Sequence, residues 1–288
     1  MRLDGRRKST NVDDRRGSGS RRVLAGGGIV GILVALVAAF FGGDIGTILT
    51  QLTGGAQQMM PDAGQQYQPT AEEEALADFS KQIFAGTEDV WTEIFRSMGR
   101  EYEPPRLVLY TGSTTSGCGN ADASIGPFYC SADQSVYIDL SFFQNMRRTL
   151  GADGDFAYAY VIAHEVGHHV QYLLGTLDGA HSMMQRVSER EANRLSVRLE
   201  LQADFFAGIW AYHDNRMFGS LEPGDVQEAV DAAGKIGDDY LQKKAQGYAV
   251  PDSFNHGTSE QRSRWLQKGL RTGDVSLGDT FSPDYSSL

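Results

Sequence analysis

The stretch Tyr160-Val161-Ile162-Ala163-His164-Glu165-Val166-Gly167-His168-His169-Val170 decides how this chain is read. From Phe156 to Leu174, histidines aside, Glu165 is the one charged residue. So apolar a segment predicts a buried helix, and a carboxylate and imidazoles buried in it need partners. On a helix, His164 and His168 stand at i and i+4, one turn apart on one face. Ring nitrogens at that spacing reach a single zinc ion, and Glu165 projects toward the open side, where a water would stand. The chemistry predicted is metal-assisted hydrolysis, with Glu165 as the base that takes the water's proton. The plainer alternative is a core helix whose polar residues satisfy one another.

A catalytic zinc needs a third protein ligand. A metzincin would place a glycine three residues after His168 and a histidine six after it, where this chain has Gln171 and Leu174. The segment Arg198-Leu199-Glu200-Leu201-Gln202-Ala203-Asp204-Phe205-Phe206-Ala207-Gly208 offers a glutamate instead. Glu200 and Asp204 share a helix face, so Glu200 can ligate while Asp204 accepts the free N–H of a ligand histidine. The competitors are Glu189 and Glu191, which read as solvated acids in a helix's first turn, together with His169 and His181. His169 lies about 100° round the helix from His168, and His181 follows Gly175 and Gly179 in an expected loop. If the second helix begins at Ser188, Glu200 stands about 18 Å along it. Residues 175–187 must then make an excursion that brings the two helices level.

The set H-E-x-x-H at 164–168, E-x-x-A-D at 200–204 and His256-Gly257-Thr258-Ser259-Glu260-Gln261-Arg262 resembles the bacterial family named putative neutral zinc metallopeptidases. The resemblance covers the chain from about residue 72 onward, and its basic, then apolar, N-terminus. It implies a single-pass membrane protein with a gluzincin-type domain. It further implies His164, His168 and Glu200 as ligands of one zinc per chain, and Glu165 as the catalytic base. It implies a peptidase but names no substrate. Thr258 and Gln261 form a capping box that opens a helix, so His256 is held just before a helix start. In that place His256 can hydrogen-bond the developing oxyanion. Arg262 either assists it or sits in a structural ion pair.

Residues 1–22 hold eight Lys or Arg against three Asp, leaving 18 basic and 34 acidic residues for the rest of the chain. Residues 23–43 carry no charge, and 21 helical residues span about 31 Å, the thickness of a bilayer core. Arg21 and Arg22 flank this run, which predicts a cytoplasmic N-terminus, a transmembrane helix and a catalytic domain outside the cytoplasm. The alternative is a cleaved signal peptide, with Val37-Ala38-Ala39 as its weak processing site. Gly27 and Gly31 form a small-xxx-small pair of the kind that supports a homodimer. The acidic remainder argues against nucleic-acid binding. Cys118 and Cys130, the two cysteines, predict one disulfide in an oxidising compartment.

The expected organisation is a basic segment 1–22, a transmembrane helix 23–43, a Gly/Gln/Pro-rich linker 44–71 and a catalytic domain 72–288. Disorder is expected near residues 1–20, 52–70 and the C-terminal tail from Arg271. Periodicity predicts a helix over 72–98 with a break near Gly86. A strand is expected at 106–110, a hairpin through 128–130 and 136–139, a helix at 142–150 and a helical run over 223–245. The fold class is α+β, a mainly helical zincin-like domain with a small mixed or antiparallel sheet. Its edge strand, expected within the 128–139 hairpin, pairs with an extended peptide or unfolded-protein substrate. Two other functions fit the same residues: an inactive metal-binding module that docks a membrane partner, and a zinc amidase acting on a cell-wall amide.

Overall fold

The computed structural model of the chain describes residues 1–17, 67–122, 125–152 and 154–288. Helix α1 (Ala71–Ser97) opens on Thr70, whose hydroxyl accepts from the Glu73 N–H while the Glu73 carboxylate accepts from the Thr70 N–H. Its apolar stripe buries Ile83, Phe84, Val90, Trp91, Ile94 and Phe95. The helix runs unbroken through Gly86, where a break was expected. A Cβ at Gly86 would stand 2.7 Å from the Arg6 guanidinium and 2.8 Å from the Asp214 carboxylate. The glycine makes room for an ion pair across the helix and does not end it.

The main sheet is mixed, in the order β1 (Val12–Asp14), β2 (Arg106–Tyr110), β6 (Ser135–Asp139), β5 (Phe128–Cys130). β2 runs parallel to both β1 and β6, and β5 pairs antiparallel with β6. Every residue of β6 and all but the first of β2 are buried, as expected of central strands covered on both faces. β5 and β6 form the expected hairpin, with Gln134 in the left-handed region at φ 52°. Between β2 and β5 lies a second hairpin, β3 (Ser113–Ser116) and β4 (Gly119–Asp122). The disulfide Cys118–Cys130 joins the turn of that hairpin to the end of β5.

After β6 come a short helix α2 (Ser141–Asn145), which runs into a π turn, and the long apolar helix α3 (Asp155–Leu174). α3 stops at Gly175, φ 80°, and helix α4 (Thr176–Met184) carries the chain aside before α5 (Glu189–Phe218) begins behind the Ser188 cap. The helical run expected over 223–245 is two helices, α6 (Asp225–Lys235) and α7 (Asp238–Gln246), parted at Gly237. α8 (Ser259–Thr272) opens on the Thr258–Gln261 capping box and packs along α5. The architecture is α+β and mainly helical, and one core runs between α1, the sheet, α3 and α5.

Both chain ends depart from the expected disorder. Residues 1–17 are built into the domain. β1 extends the sheet, Ser9 N–H donates to the Lys81 carbonyl at 3.0 Å, and Arg6 forks onto Asp214. At the other end, Gln202 donates to the Gly278 carbonyl, Arg198 to those of Thr280 and Pro283, and Leu288 is buried. No helix among the described residues is long and apolar enough to cross a membrane. The expected transmembrane helix 23–43, its Gly27/Gly31 pair and most of the linker 44–71 lie outside the described residues.

Candidate metal centre

The centre forms where α3 crosses α5. Gly167 sits at the crossing: a Cβ there would lie 3.0 Å from the Ala203 carbonyl oxygen. This close approach sets Glu200 and Asp204 level with His164 and His168, and α4 is the excursion that permits it. Glu200 Oε2 lies 3.2 Å from His164 Nε2, and Glu200 Oε1 lies 3.5 Å from His168 Nε2. One donor atom from each of His164, His168 and Glu200 falls within 4.8 Å of the others, the span of a single cation's shell.

The outward nitrogens are held from behind. His164 Nδ1 lies 2.8 Å from Asp204 Oδ1, which also accepts from Tyr160 Oη at 2.6 Å. Asp204 receives the Arg262 guanidinium as well, Nε at 2.8 Å and Nη2 at 3.0 Å. Arg262 is buried and lies 3.9 Å from Glu200. His168 Nδ1 lies 2.9 Å from Gln171 Oε1, and the Gln171 amide donates in turn to the Leu199 carbonyl at 2.7 Å. With its amide nitrogen so engaged, Gln171 must accept from His168. Both imidazoles therefore donate from Nδ1, which leaves Nε2, the nitrogen facing Glu200, as the atom that would ligate zinc on giving up any proton it carries.

Burial and charge divide the titrations. Burial opposes a charge on His164, yet Asp204 and Glu200 lift it to about 10. Burial pushes His168 down to about 4 against the pull of Glu200. Burial would raise Glu200, but His168, His164 and His256 hold it below the usual carboxylate range. Asp204 is lowered in the same way, against burial, by Arg262 and His164. Burial raises Glu165 to about 7, with the Tyr129 backbone N–H and the charges on His164 and Arg262 working against it.

Glu165 and His256 face one cavity of about 550 Å³ with the three donor residues. Its walls include Phe128 and Tyr129 of β5, the open edge of the sheet. Asp238, at the start of α7, clamps His256: its Oδ2 accepts the N–H groups of Asn255, His256 and Gly257 at 2.9, 2.7 and 3.0 Å, and Oδ1 lies 3.2 Å from His256 Nδ1. Burial alone would lower His256, but Asp238 and Glu200 raise it. His181 lines the cavity away from the donor cluster, Glu189 and Glu191 lie exposed in the first turn of α5, and His169 turns to Tyr129 and Glu103. Tyr160, Gln171 and Asp238 are supporting residues that the sequence reading left out, and His169, weighed there only as a ligand, supports Tyr129 instead. Tyr160 and Gln171 stand four before His164 and three after His168, so their helix face was legible. Asp238 carries no local signal.

An H-E-x-x-H helix completed by a glutamate from a neighbouring helix is the donor arrangement of the His₂Glu zinc hydrolases. The chain belongs to the family described as "Putative neutral zinc metallopeptidase", whose model matches residues 1–281. It is 47% identical over 290 residues to "Uncharacterized protein YpfJ" of Escherichia coli (strain K12), covering 98% of this chain and 99% of that one. It is 41% identical over 191 residues to "Uncharacterized protein Rv2575" of Mycobacterium tuberculosis, covering 63% of this chain and 64% of that one. No solved structure matches it.

Proposed function

We propose that the chain is a zinc-dependent peptidase that hydrolyses peptide bonds in peptides or unfolded protein and is held at a membrane by residues 23–43. The observation that carries this is the convergence of His164 Nε2, His168 Nε2 and Glu200 on one point beside Glu165, in a cavity bordered by the open edge of β5. Zinc held by these three residues would supply a Lewis acid that acidifies water and polarises a carbonyl. Glu165 takes the proton of the attacking water, and its pKa of about 7 suits a base working near neutrality. His256, whose protonated form Asp238 and Glu200 favour against burial, donates to the oxygen on which negative charge develops. β5, an edge strand at the cavity wall, holds the substrate backbone through main-chain groups beside the Tyr129 N–H that Glu165 takes. Arg262 acts behind the site, since its guanidinium is engaged with Asp204. The bridge between Cys118 and Cys130 supports a compartment outside the cytoplasm.

The test is digestion of casein by the full chain and by Glu165→Gln, each checked for zinc content. Full-chain activity that falls at least about 100-fold in the variant, with zinc retained, is the expected outcome. Equal behaviour of the two proteins would favour a binding module. Release of cell-wall amide products without casein cleavage would favour the amidase.

A further inference from the structure

The cavity continues past the donor cluster in both directions along α3. Helices α3 and α5 lie antiparallel there, since His164 meets Asp204 while Gln171, further along α3, donates to the Leu199 carbonyl. Beyond His168, Leu177 and Met184 of α4 pack with Leu199 in an apolar cluster apart from the main core, and all three reach the cavity wall. On the other side of the donors stands Val161, one turn before His164, with Phe142 of α2. Ile236 and Leu241 close that end, and the Ile236 carbonyl accepts from Arg262 Nη1 at 3.4 Å, which keeps it on the Asp204 side. Phe142, Met184, Ile236 and Leu241 are only half-buried, so each wall offers apolar surface that the fold itself does not cover.

Charge is confined to the middle. Among the described residues of the wall, the acids are Glu165 and Glu200, and the arginine, Arg262, is turned onto Asp204. Glu200 faces the two imidazoles and Glu165 is the base, so neither is spare to hold a free α-ammonium. His256 is clamped by Asp238 beside the donors, and His181, exposed on α4, is the lining imidazole outside the centre. A site that captures a chain end needs a committed group of opposite charge. A cleft open on both sides of the donors, with apolar walls, suits the middle of a chain instead. The same walls leave a charged side chain without a partner, which rejects it as firmly as an apolar one is welcomed.

We propose that the cavity seats an internal segment of an extended chain, with apolar side chains on both sides of the peptide unit that faces the donors. Leu177, Met184 and Leu199 take one side chain, and Phe142, Val161 and Leu241 take the other. This rests on the peptidase reading and adds to it the substrate class: apolar stretches of unfolded protein, cut away from their ends. Folded proteins keep such stretches inside, so the walls themselves select unfolded chains.

Binding tests the seating without turnover. Zinc-loaded full chain carrying Glu165→Gln is titrated into fluorescent Gly/Ser peptides blocked at both ends, and anisotropy is read. One peptide holds a central Leu-Phe pair, and four others replace either member by Asp or Lys. The Leu-Phe peptide should bind at least about 10-fold more tightly than each charged one. Met184→Lys, added to Glu165→Gln, should favour Asp at one position of the pair, and Leu241→Lys should favour it at the other. Equal binding of all five peptides overturns the apolar seating, and both lysines shifting the same position overturns the two walls. Tighter binding once an end is unblocked overturns the internal segment, and a gain from a free carboxylate would assign His181 to a chain terminus. Digestion by the unsubstituted chain keeps the two readings apart. A Leu-Phe peptide that binds but is never cut leaves the seating standing and overturns the peptidase. Casein cleavage mapped to charged pairs, with the apolar peptide unbound, does the reverse.

Discussion

Asp204 accepts hydrogen bonds from Tyr160, His164 and Arg262 while fully shut off from solvent. It orients a ligand imidazole and neutralises a buried guanidinium at once. Asp204→Asn removes the carboxylate that neutralises Arg262 and leaves that buried cation only Glu200 at 3.9 Å, a loss of about 3–5 kcal/mol. It also weakens the hold on His164, so zinc affinity should drop about 10–100-fold. Adding Arg262→Met should restore most of the melting temperature and little of the affinity, and calorimetry beside zinc titration separates the two. If the double variant regained full affinity, the orienting role would be wrong. His169 gives a second test. Its Nε2 lies 2.7 Å from the Glu103 carbonyl and must donate, so Nδ1 accepts from the Tyr129 hydroxyl at 2.9 Å, which ties β5 to α3. Burial lowers this imidazole to about 4, opposed by its bond to Glu103. Between that value and the unfolded one near 6.5, the unfolded chain binds a proton that the native chain refuses. His169 therefore contributes stability that is present above pH 6.5 and lost as pH falls through 4, up to about 3 kcal/mol. Denaturant melts of His169→Gln across that range should show a shallower acid-side decline than the parent. His164, Glu165, His168, Glu200 and Asp204 were legible because helical spacing is arithmetic on the chain. Asp238 and Tyr129 were not, because they reach the site from other elements and no period points to them.

At the scale of elements, runs of one period were readable and joints were not. The strand at 106–110 and the hairpin through 128–139 stand out as β-rich runs between turn residues, and the structure has them there. The run 223–245 looked like one helix, but Gly237 parts it and puts Asp238 in the first turn of α7, where a carboxylate suits the free N–H groups. β3 and β4 give no strand signal because Ser113-Thr114-Thr115-Ser116 and Gly119-Asn120-Ala121-Asp122 lack apolar alternation. What fastens them is covalent: the Cys118–Cys130 bridge runs from their turn to the end of β5, and Cys118 reaches the cavity wall. Opening the bridge with Cys118→Ser/Cys130→Ser should cost about 2–3 kcal/mol, given the short loop it closes. It frees the edge that binds the substrate backbone and leaves α3 and α5 alone. KM for a peptide substrate should therefore rise several-fold while zinc stoichiometry stays fixed. A variant that lost zinc, with KM unmoved, would show that the bridge supports the metal helices and not the strand.

Across the whole molecule, the arm is where local pattern and tertiary structure part. Residues 1–17 are too charged to announce a strand, and their order comes from acids spread over α1 and α5 that no local window contains. Arg6 is the keystone. Its guanidinium passes the gap left by Gly86 on α1, forks onto Asp214 of α5 and lies 3.8 Å from the centre of the Phe218 ring. The Asp214 side chain is 1% exposed, so losing its partner strands a carboxylate in the core. Arg6→Ala should destabilise the chain by about 3–5 kcal/mol. Arg6→Lys should fall between, because an ammonium keeps the charge but not the two-pronged geometry. Arg6→Met with Asp214→Asn removes both charges at similar volume and should recover most of the loss. Limited proteolysis gives an independent reading: Arg6→Ala should expose the arm to early cutting, while the double variant stays protected. Zinc binding should be unchanged throughout, since Asp214 stands ten residues beyond Asp204 on α5 and contacts no donor residue. A stability change below about 0.5 kcal/mol in Arg6→Ala would place that pair among solvent-weakened surface bridges and remove the arm from the folded core.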